Sequence, residues 1–310
     1  MIIFIIVISL ILFLLLITFI IGLIGYKFIY KRTKTPYSVL NVEDSKFHFP
    51  LKVKDKYIEL INYPYQEIYI KNNRNIKLYG ELRKSKNPQK NNKPIVILFS
   101  HGHLSSGNND VALYYNFQLD NYDLLSIDHE GNGKSEGKHS GFGIYESENI
   151  ILWVNKINEI YNHNVDIYFH GVSMGSNSIL LTANKKMENV KGLIADCGFT
   201  SSYEIFKYLS KLNFISFSIC LINSLILKRN VFKYSSLKTL KNSLYPILFI
   251  HGDKDKVVPI FMTLKNEKVC SSKHRMIIFK GAGHASSYFI DSILYEKEFN
   301  DFIKENSNFK

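Results

Sequence analysis

The sequence predicts an α/β domain, with a mostly parallel central sheet wrapped by helices, behind one N-terminal transmembrane helix. Three observations lead to this prediction. Short runs rich in strand formers alternate with segments of helical spacing over most of the chain, which is typical of a sheet covered by helices. A G-x-S-x-G pentapeptide lies between one such run and one such segment. The first 26 residues contain no Lys, Arg, Asp or Glu.

The N-terminal stretch is composed like a membrane span. Ile2 to Gly25 is nearly unbroken Ile, Leu, Phe and Val. As a helix it would be roughly 36 Å long at about 1.5 Å per residue, enough to cross a bilayer with some tilt. A cleaved signal peptide is the alternative, but a charged start, a shorter apolar core and a small-residue cleavage site are missing from the sequence. We therefore expect residues 1–26 to be a retained, single-pass anchor.

The charges that follow the anchor predict its orientation. Lys27, Lys31, Arg32 and Lys34 stand directly after it, whereas no basic side chain precedes it. The positive-inside rule then places the rest of the chain in the cytoplasm. The net charge of +12 comes without a nucleic-acid-binding motif, so a membrane surface is the expected partner and nucleic acid is not.

The cysteines do not indicate a functional site. The three cysteines are too few and too scattered for a disulfide framework or a cysteine-based zinc site. They are expected to be small buried hydrophobic residues, in a reducing compartment.

The elements of the domain can be placed in order along the chain. Residues 27–64 lack clear periodicity and are interpreted as a juxtamembrane linker that packs onto a domain covering 65–310. The alternating runs 67–70 and 76–82 flank a turn-like Asn-rich segment and predict a hairpin. Apolar runs predict buried strands at 94–99, 122–127, 165–169, 190–195, 246–250 and 276–279. Helical spacing predicts helices at 111–119, 144–160, 176–186, 261–268 and 295–305.

One segment interrupts the alternation. Residues 202–238 lie between two predicted strands, are helical in character and carry many large apolar side chains. They are interpreted as a small helical cap inserted over the site. An ordinary long crossover connection is the alternative.

The pentapeptide Gly171–Gly175 is the centre of the predicted site. It follows the strand-forming run 165–170 and opens a segment with helical spacing, which is the context of a nucleophile elbow. Ser173 would be held in a strained turn that needs minimal neighbouring side chains. The helix that follows would point N–H groups at a developing anion.

A serine nucleophile needs a base, and the base needs an orienting acid. His284 follows the last predicted strand and Asp255 follows the strand before it, so both belong to loops at the carboxyl edge of the sheet. The order Ser, Asp, His fits this arrangement. Asp253 is the rival acid and is interpreted as a turn residue. His101 and His103 have no third ligand at a telling spacing, so no metal and no cofactor are expected.

The chain resembles α/β-hydrolase fold proteins of the serine-aminopeptidase and lysophospholipase-like branch, in particular membrane-anchored bacterial members. The resemblance covers roughly residues 65 to 305 and rests on motifs in order: His101-Gly102, Asp128-x-x-Gly131-x-Gly133-x-Ser135, Gly171-x-Ser173-Met174-Gly175, His251-Gly252-x-x-Asp255-x-x-Val258-Pro259 and Gly283-His284. It implies a Ser173–His284–Asp255 triad, with the backbone N–H groups of His103 and Met174 as the oxyanion hole. Glu130 departs from the pattern, because relatives often carry Arg there.

Three functions compete. The first is a membrane-anchored serine hydrolase that cleaves carboxylic esters or monoacyl lipid-like substrates through an acyl-enzyme. The second is an aminopeptidase-type serine peptidase on the same fold. The third is a non-catalytic membrane-anchored binding protein. A complete triad argues against the third. The predicted cap is basic apart from Glu204, and a peptidase would need acidic groups to hold a substrate amine, so the first is favoured.

Overall fold

The computed structural model describes residues 1–32, 52–87 and 93–307. Within them the strands are β1 Gln66–Lys71, β2 Lys77–Arg83, β3 Ile95–Ser100, β4 Asp123–Ile127, β5 Asp166–Val172, β6 Val190–Asp196, β7 Ile247–Gly252 and β8 His274–Phe279. The helices are α1 Ile2–Gly25, α2 Lys52–Asn62, α3 Gly107–Val111, α4 Tyr115–Asn121, α5 Ile144–Ile160, α6 Met174–Leu180, α7 Ser202–Ser210, α8 Asn213–Ile226, α9 Ser236–Leu240, α10 Phe261–Val269, α11 Ser287–Ile290 and α12 Ser292–Ser307. A π-helical turn, Tyr26–Tyr30, continues α1, and a 3₁₀ turn, Val231–Lys233, separates α8 from α9.

The strands form one twisted layer. Among the described residues the sheet has eight strands in the order β1-β2-β4-β3-β5-β6-β7-β8. Both pairings of β2 are antiparallel, and the pairings from β4 through β8 are parallel. The central strands β3, β4 and β5 are buried almost throughout, which explains their unbroken apolar runs. The predicted hairpin and mostly parallel sheet are confirmed, and the chain has the α/β-hydrolase fold.

Apolar clusters cover both faces of the sheet, and a third lies at its carboxyl edge. One face packs under α2, α4 and α12, and the other under α5, α6 and α9. The third cluster joins the π-helical turn, α7 and α8 to the end of the sheet through Tyr30, Phe206 and Cys220. The segment between β6 and β7 is therefore helical and packs over the loops that follow the parallel strands.

The structure adds detail to two predicted elements. The stretch 27–64, interpreted as a linker that packs onto the domain, contains helix α2, Lys52–Asn62, with Leu60 fully buried against the sheet; residues 33–51 of that stretch lie outside the described residues. The predicted helix 111–119 is two short helices, α3 and α4, separated by a turn at 112–114. All five residues from Val111 to Tyr115 lie in the core, which a continuous helix with one buried face would not allow.

Candidate active site

Ser173 lies in the sharp turn between β5 and α6. Its backbone has φ 55° and ψ −115°, a conformation that L-residues rarely adopt. The two glycines of the motif are required by contact rather than by flexibility. A Cβ on Gly171 would lie 2.5 Å from the carbonyl oxygen of Gly175, and a Cβ on Gly175 would lie 1.9 Å from that of Ser100. The strand–turn–helix context that the motif predicts is therefore present, with the serine side chain at the carboxyl edge of the sheet.

The three predicted triad residues meet at that edge. The Oγ atom of Ser173 lies 2.9 Å from Nε2 of His284, and Nδ1 of His284 lies 2.7 Å from Oδ2 of Asp255. His284 comes from the loop after β8 and Asp255 from the loop after β7. This geometry allows the imidazole to accept the serine proton while Nδ1–H donates to the carboxylate.

Asp255 is buried and is held in its ionised form. Burial by itself would raise the pKa of the Asp255 carboxyl, but hydrogen bonds from His251 and His284 hold that pKa well below its usual range. The other carboxylate oxygen accepts the backbone N–H groups of Val257 and Val258 at 2.8 and 2.9 Å. An orienting acid with this bonding stays charged at neutral pH.

Asp253, the rival acid, has a different task. Its Oδ1 accepts the backbone N–H of Gly281 at 2.6 Å, which ties the loop after β7 to the loop after β8. Gly281 has φ +83°, so this turn relies on glycine. Asp253 thus braces the loop that carries His284, and no hydrogen bond between its carboxylate and a histidine is found among the described residues.

Both predicted oxyanion-hole residues line the cavity beside Ser173. Met174 is the first residue of α6, so its N–H has no acceptor within the helix. His103 follows β3, and its Nε2 lies 2.6 Å from the carbonyl oxygen of Ile29. Burial lowers the pKa of His103 to about 4, so its ring is neutral at pH 7 and Nε2–H donates to that carbonyl.

Two contributors to this site were not predicted from the sequence. Asp110 in α3 accepts the backbone N–H of Gly102 at 2.7 Å and the hydroxyl of Ser105, and so braces the loop that carries His103. Ile29 was assigned to a linker, yet it lines the cavity and holds the His103 ring. An acidic residue in a short helix and an isoleucine after an apolar run carry no sequence signal for either role.

The end of the N-terminal segment is built into the domain. Tyr30 is fully buried, with its ring 5.9 Å from that of Phe142 and 6.1 Å from that of Phe206. The guanidinium of Arg32 donates to the carbonyl oxygens of Gly133 and Ser135. Residues 26–32 therefore pack against the same loops that surround the candidate site.

A cavity of about 600 Å³ opens at Ser173. Its walls come from the sheet loops, from the π-helical turn and from α7 and α8. Apolar side chains dominate the lining, including Leu113, Phe142, Phe199, Phe206, Leu209 and Ile219. A cavity of this size and lining is typical of a site for an apolar small molecule.

The loop motif that begins at Asp128 is structural. The Asp128 carboxylate accepts the backbone N–H groups of Gly107 and Lys134 at 2.8 and 2.7 Å, and the Ser135 hydroxyl donates to the Asp128 carbonyl at 2.6 Å. Glu130, the departure from the family pattern, is buried and pairs with Arg74 at 2.6 Å. The arginine partner thus comes from the β1–β2 turn.

Cys197, Asp255 and His284 place potential metal ligand atoms within 4.8 Å of one another. The donor set does not suit a metal. Burial raises the pKa of the Cys197 thiol well above its usual range, whereas a thiolate is the ligand form. The Asp255 oxygen and the His284 nitrogen already bond to each other. The cluster is better explained as the acid and the base of the triad next to a buried thiol.

Part of the chain is similar to a known protein family. Residues 91–213 match the model of the family described as serine aminopeptidase, S33. The chain is 27% identical over 217 residues to YqkD, an uncharacterized protein of Bacillus subtilis. The aligned region covers 68% of this chain and 71% of YqkD.

Solved structures show the same fold. The esterase Pf2001 of Pyrococcus furiosus superposes with a TM-score of 0.60 at 19% identity, covering 84% of this chain and 95% of the esterase. Est1E of Butyrivibrio proteoclasticus also superposes with a TM-score of 0.60 at 19% identity, covering 77% of this chain and 98% of Est1E. The acylaminoacyl peptidase of Pyrococcus horikoshii superposes with a TM-score of 0.60 at 18% identity, covering 80% of this chain but 43% of the peptidase. At these identities the likeness establishes the fold alone.

Proposed function

Starting from an α/β hydrolase with esterase-like structural neighbours, we propose that this chain is a membrane-anchored serine hydrolase that cleaves carboxylic esters or monoacyl lipid-like substrates. One observation carries the proposal. The hydrogen-bonded series Ser173–His284–Asp255, with separations of 2.9 and 2.7 Å, opens into an apolar cavity of about 600 Å³. A serine poised for acyl transfer and an apolar chamber beside it suit an acyl group.

The proposed mechanism follows from the placement of these groups. Ser173 attacks the ester carbonyl carbon while Nε2 of His284 takes the serine proton. The N–H groups of His103 and Met174 stabilise the oxyanion of the tetrahedral intermediate. His284 then protonates the leaving alkoxide, which departs as an alcohol and leaves an acyl-enzyme. Water repeats the sequence and releases the carboxylic acid, while Asp255 stabilises the imidazolium in both halves.

The cavity walls support an acyl pocket formed by the helical cap, proposed as residues 202–238. Phe206 and Leu209 of α7 and Ile219 of α8 line the cavity together with Ile29. Each substrate methylene buried there would contribute up to about 0.8 kcal/mol. Medium-chain acyl groups should therefore be preferred over acetyl groups.

The contacts of the N-terminal segment support a retained anchor. The helix Ile2–Tyr30 is long and apolar enough to cross a membrane, a property that a signal sequence shares. Cleavage beyond Tyr30 would remove the buried Tyr30 ring and the Ile29 wall of the cavity. Fully burying a large apolar side chain stabilises a fold by about 1.5 to 3 kcal/mol, so the loss of Tyr30 would weaken the packing of α7, whose Phe206 contacts its ring. The basic residues after the helix support a cytoplasmic domain.

An aminopeptidase-type activity fits the cavity less well. Such an enzyme needs a carboxylate to hold the substrate amine. Among the described residues that line the cavity, Asp110 is the acidic one, and its carboxylate already accepts from Gly102 and Ser105. Glu204 of the cap pairs with Lys265 instead.

The test is a substrate panel on the full chain in detergent micelles or nanodiscs. The panel contains p-nitrophenyl esters from acetyl to dodecanoyl, a monoacylglycerol, a lysophospholipid and aminoacyl-p-nitroanilides, with Ser173→Ala as the control. We expect ester hydrolysis that rises toward medium chains and disappears in the variant. Faster turnover of the anilides than of any ester would replace the esterase proposal with the peptidase one.

A further inference from the structure

Helix α8 is apolar on the face that points away from the protein. Residues 212–227 contain no Lys, Arg, Asp or Glu. A stripe of four residues, Phe214, Phe217, Leu221 and Leu225, follows helical spacing along its outer face, and Phe214, Phe217 and Leu225 are 44%, 44% and 69% exposed. A helix on the surface of a soluble domain carries polar and charged side chains on its outer face. This stripe is thus an unusual surface for contact with water.

Four side-chain donors of α8 are paired within the helix, whereas the buried side-chain oxygen of Asn223 has no hydrogen-bond partner among the described residues. The hydroxyls of Ser216, Ser218 and Ser224 and the side-chain N–H of Asn223 each donate to the carbonyl oxygen four residues earlier, at 2.6 to 3.0 Å. Donors paired in this way do not need water, which is the condition that a hydrocarbon surrounding imposes. With the segment Val231–Leu240, from which it bends by 111°, α8 also has the length and composition of a broken membrane segment.

Helix α8 also packs directly on the anchor helix α1. A Cβ on Gly22 would lie 2.1 Å from Cγ1 of Ile222, and a Cβ on Gly25 would lie 2.6 Å from Cγ1 of Ile219. Small residues that let two helix backbones approach are characteristic of helix pairs in membranes. Since residue numbers fall along α8 as they rise along α1, the two helices are antiparallel and Leu225 lies toward the Thr18 end.

The length of α1 brings this contact into the bilayer. Its side chains from Ile2 to Leu16 are exposed and, apart from Ser9, apolar. Residues 2–17 would span roughly 24 Å at 1.5 Å per residue, which is shorter than a hydrocarbon core of about 30 Å. A complete span needs about 20 residues, so Thr18 and the residues just after it must also lie in hydrocarbon. These residues run beside the carboxyl-terminal half of α8.

We propose that the stripe Phe214–Phe217–Leu221–Leu225 lies against the acyl chains of the leaflet nearest the domain, so that α1 and α8 form a two-helix membrane unit. This inference rests on the anchor in the proposed function. Lys207 and Lys211 are exposed at the amino-terminal end of the stripe, the end that lies toward the domain side of the anchor, which suits contact with anionic headgroups there.

The embedded pair would also form part of the substrate chamber. Ile219 packs against Gly25 of the anchor and lines the cavity beside Ser173. One residue layer therefore separates the anchor from the cavity. A monoacyl lipid in the adjoining leaflet would have only a short path to the nucleophile.

The experiment measures lipid contact directly, without using enzyme activity. The full chain is reconstituted in vesicles of phosphatidylcholine and phosphatidylglycerol that contain phosphatidylcholine brominated at acyl carbons 6 and 7. Phe217→Trp and Leu225→Trp are compared with Leu244→Trp, which lies before β7 at the opposite end of the sheet and is also exposed. The emission of the buried native Trp153 is subtracted with the unmodified chain. Flotation and the unfolding midpoint check that each variant is bound and folded.

We expect the brominated lipid to remove half or more of the added emission in Phe217→Trp and Leu225→Trp, and little of it in Leu244→Trp. Quenching no greater than that of Leu244→Trp in vesicle-bound, folded variants would overturn the inference, as would failure of the unmodified chain to float with vesicles. Esterase activity without quenching would leave the proposed function standing alone. Quenching in a chain that hydrolyses no ester would support the membrane contact of α8 and contradict the proposed function.

Discussion

Replacing Asp255 with asparagine isolates the acid of the candidate triad with little change in shape. The substitution removes the charge that faces Nδ1 of His284 at 2.7 Å. The amide oxygen is kept toward the N–H groups of Val257 and Val258, so the amide NH₂ faces Nδ1. Nδ1 must then accept, which favours the tautomer with the proton on Nε2 and leaves Ser173 without a base. The same change in a serine protease lowers kcat by about 10⁴, and at about 1.36 kcal/mol per tenfold this is roughly 5 kcal/mol of lost transition-state stabilisation.

Asp253→Asn is the matched control, because it stands two residues away on the same loop. Its carboxylate bonds the backbone N–H of Gly281 at 2.6 Å, and an asparagine oxygen can still accept that hydrogen bond. We expect a loss of less than about tenfold, in line with the modest net value of one hydrogen bond. The assay is kcat for p-nitrophenyl butyrate hydrolysis, with thermal unfolding to confirm that both variants are folded. A larger loss in Asp253→Asn than in Asp255→Asn would refute the assignment.

Four further outcomes are expected. Ile29→Ala should move the acyl-chain optimum toward longer esters, with kcat/KM rising by up to about fourfold for each added methylene that fills the new space. An unchanged profile would show that Ile29 does not form part of the pocket wall. Phe206→Asp or Leu209→Asp should flatten the rise from acetyl to octanoyl esters, and a rise as steep as in the parent chain would count against the acyl pocket. Burial lowers the pKa of His170 to about 3, so the stability that its neutral form contributes is complete above about pH 6.5 and is lost as pH falls toward 3, by about 2 kcal/mol at pH 5. The free energy of unfolding should therefore differ less between pH 7.5 and pH 5.0 in His170→Gln than in the parent chain, and an equal difference would contradict this. N-terminal sequencing of the membrane fraction should begin at or next to Met1, and a soluble species starting beyond residue 26 would contradict the anchor.

The fold could be predicted because its signals are local. Central strands are buried on both faces, so their apolar runs are unbroken in the sequence. The elbow is also local, since Gly171 and Gly175 are required by backbone contacts within a few residues of Ser173 or on the neighbouring strand. The strand boundaries in the structure differ from the predicted ones by only a few residues.

Other features depend on contacts that no sequence window contains. Helix α2 is short, and only packing of Leu60 and Tyr57 against the sheet distinguishes it from a linker. The contact of His103 with the Ile29 carbonyl joins residues 74 positions apart. The choice between Asp253 and Asp255 could be inferred from family position, but the geometry that separates them depends on how the loops after β7 and β8 meet.

The central claim is that Ser173 is a nucleophile activated by His284. The most direct measurement is labelling of the full chain in detergent micelles with a fluorophosphonate probe, followed by peptide mass spectrometry. We expect one covalent adduct, on Ser173, which forms at neutral pH and is absent from Ser173→Ala and strongly slowed in His284→Gln. Equal labelling of Ser173→Ala, or an adduct on a different residue, would contradict it.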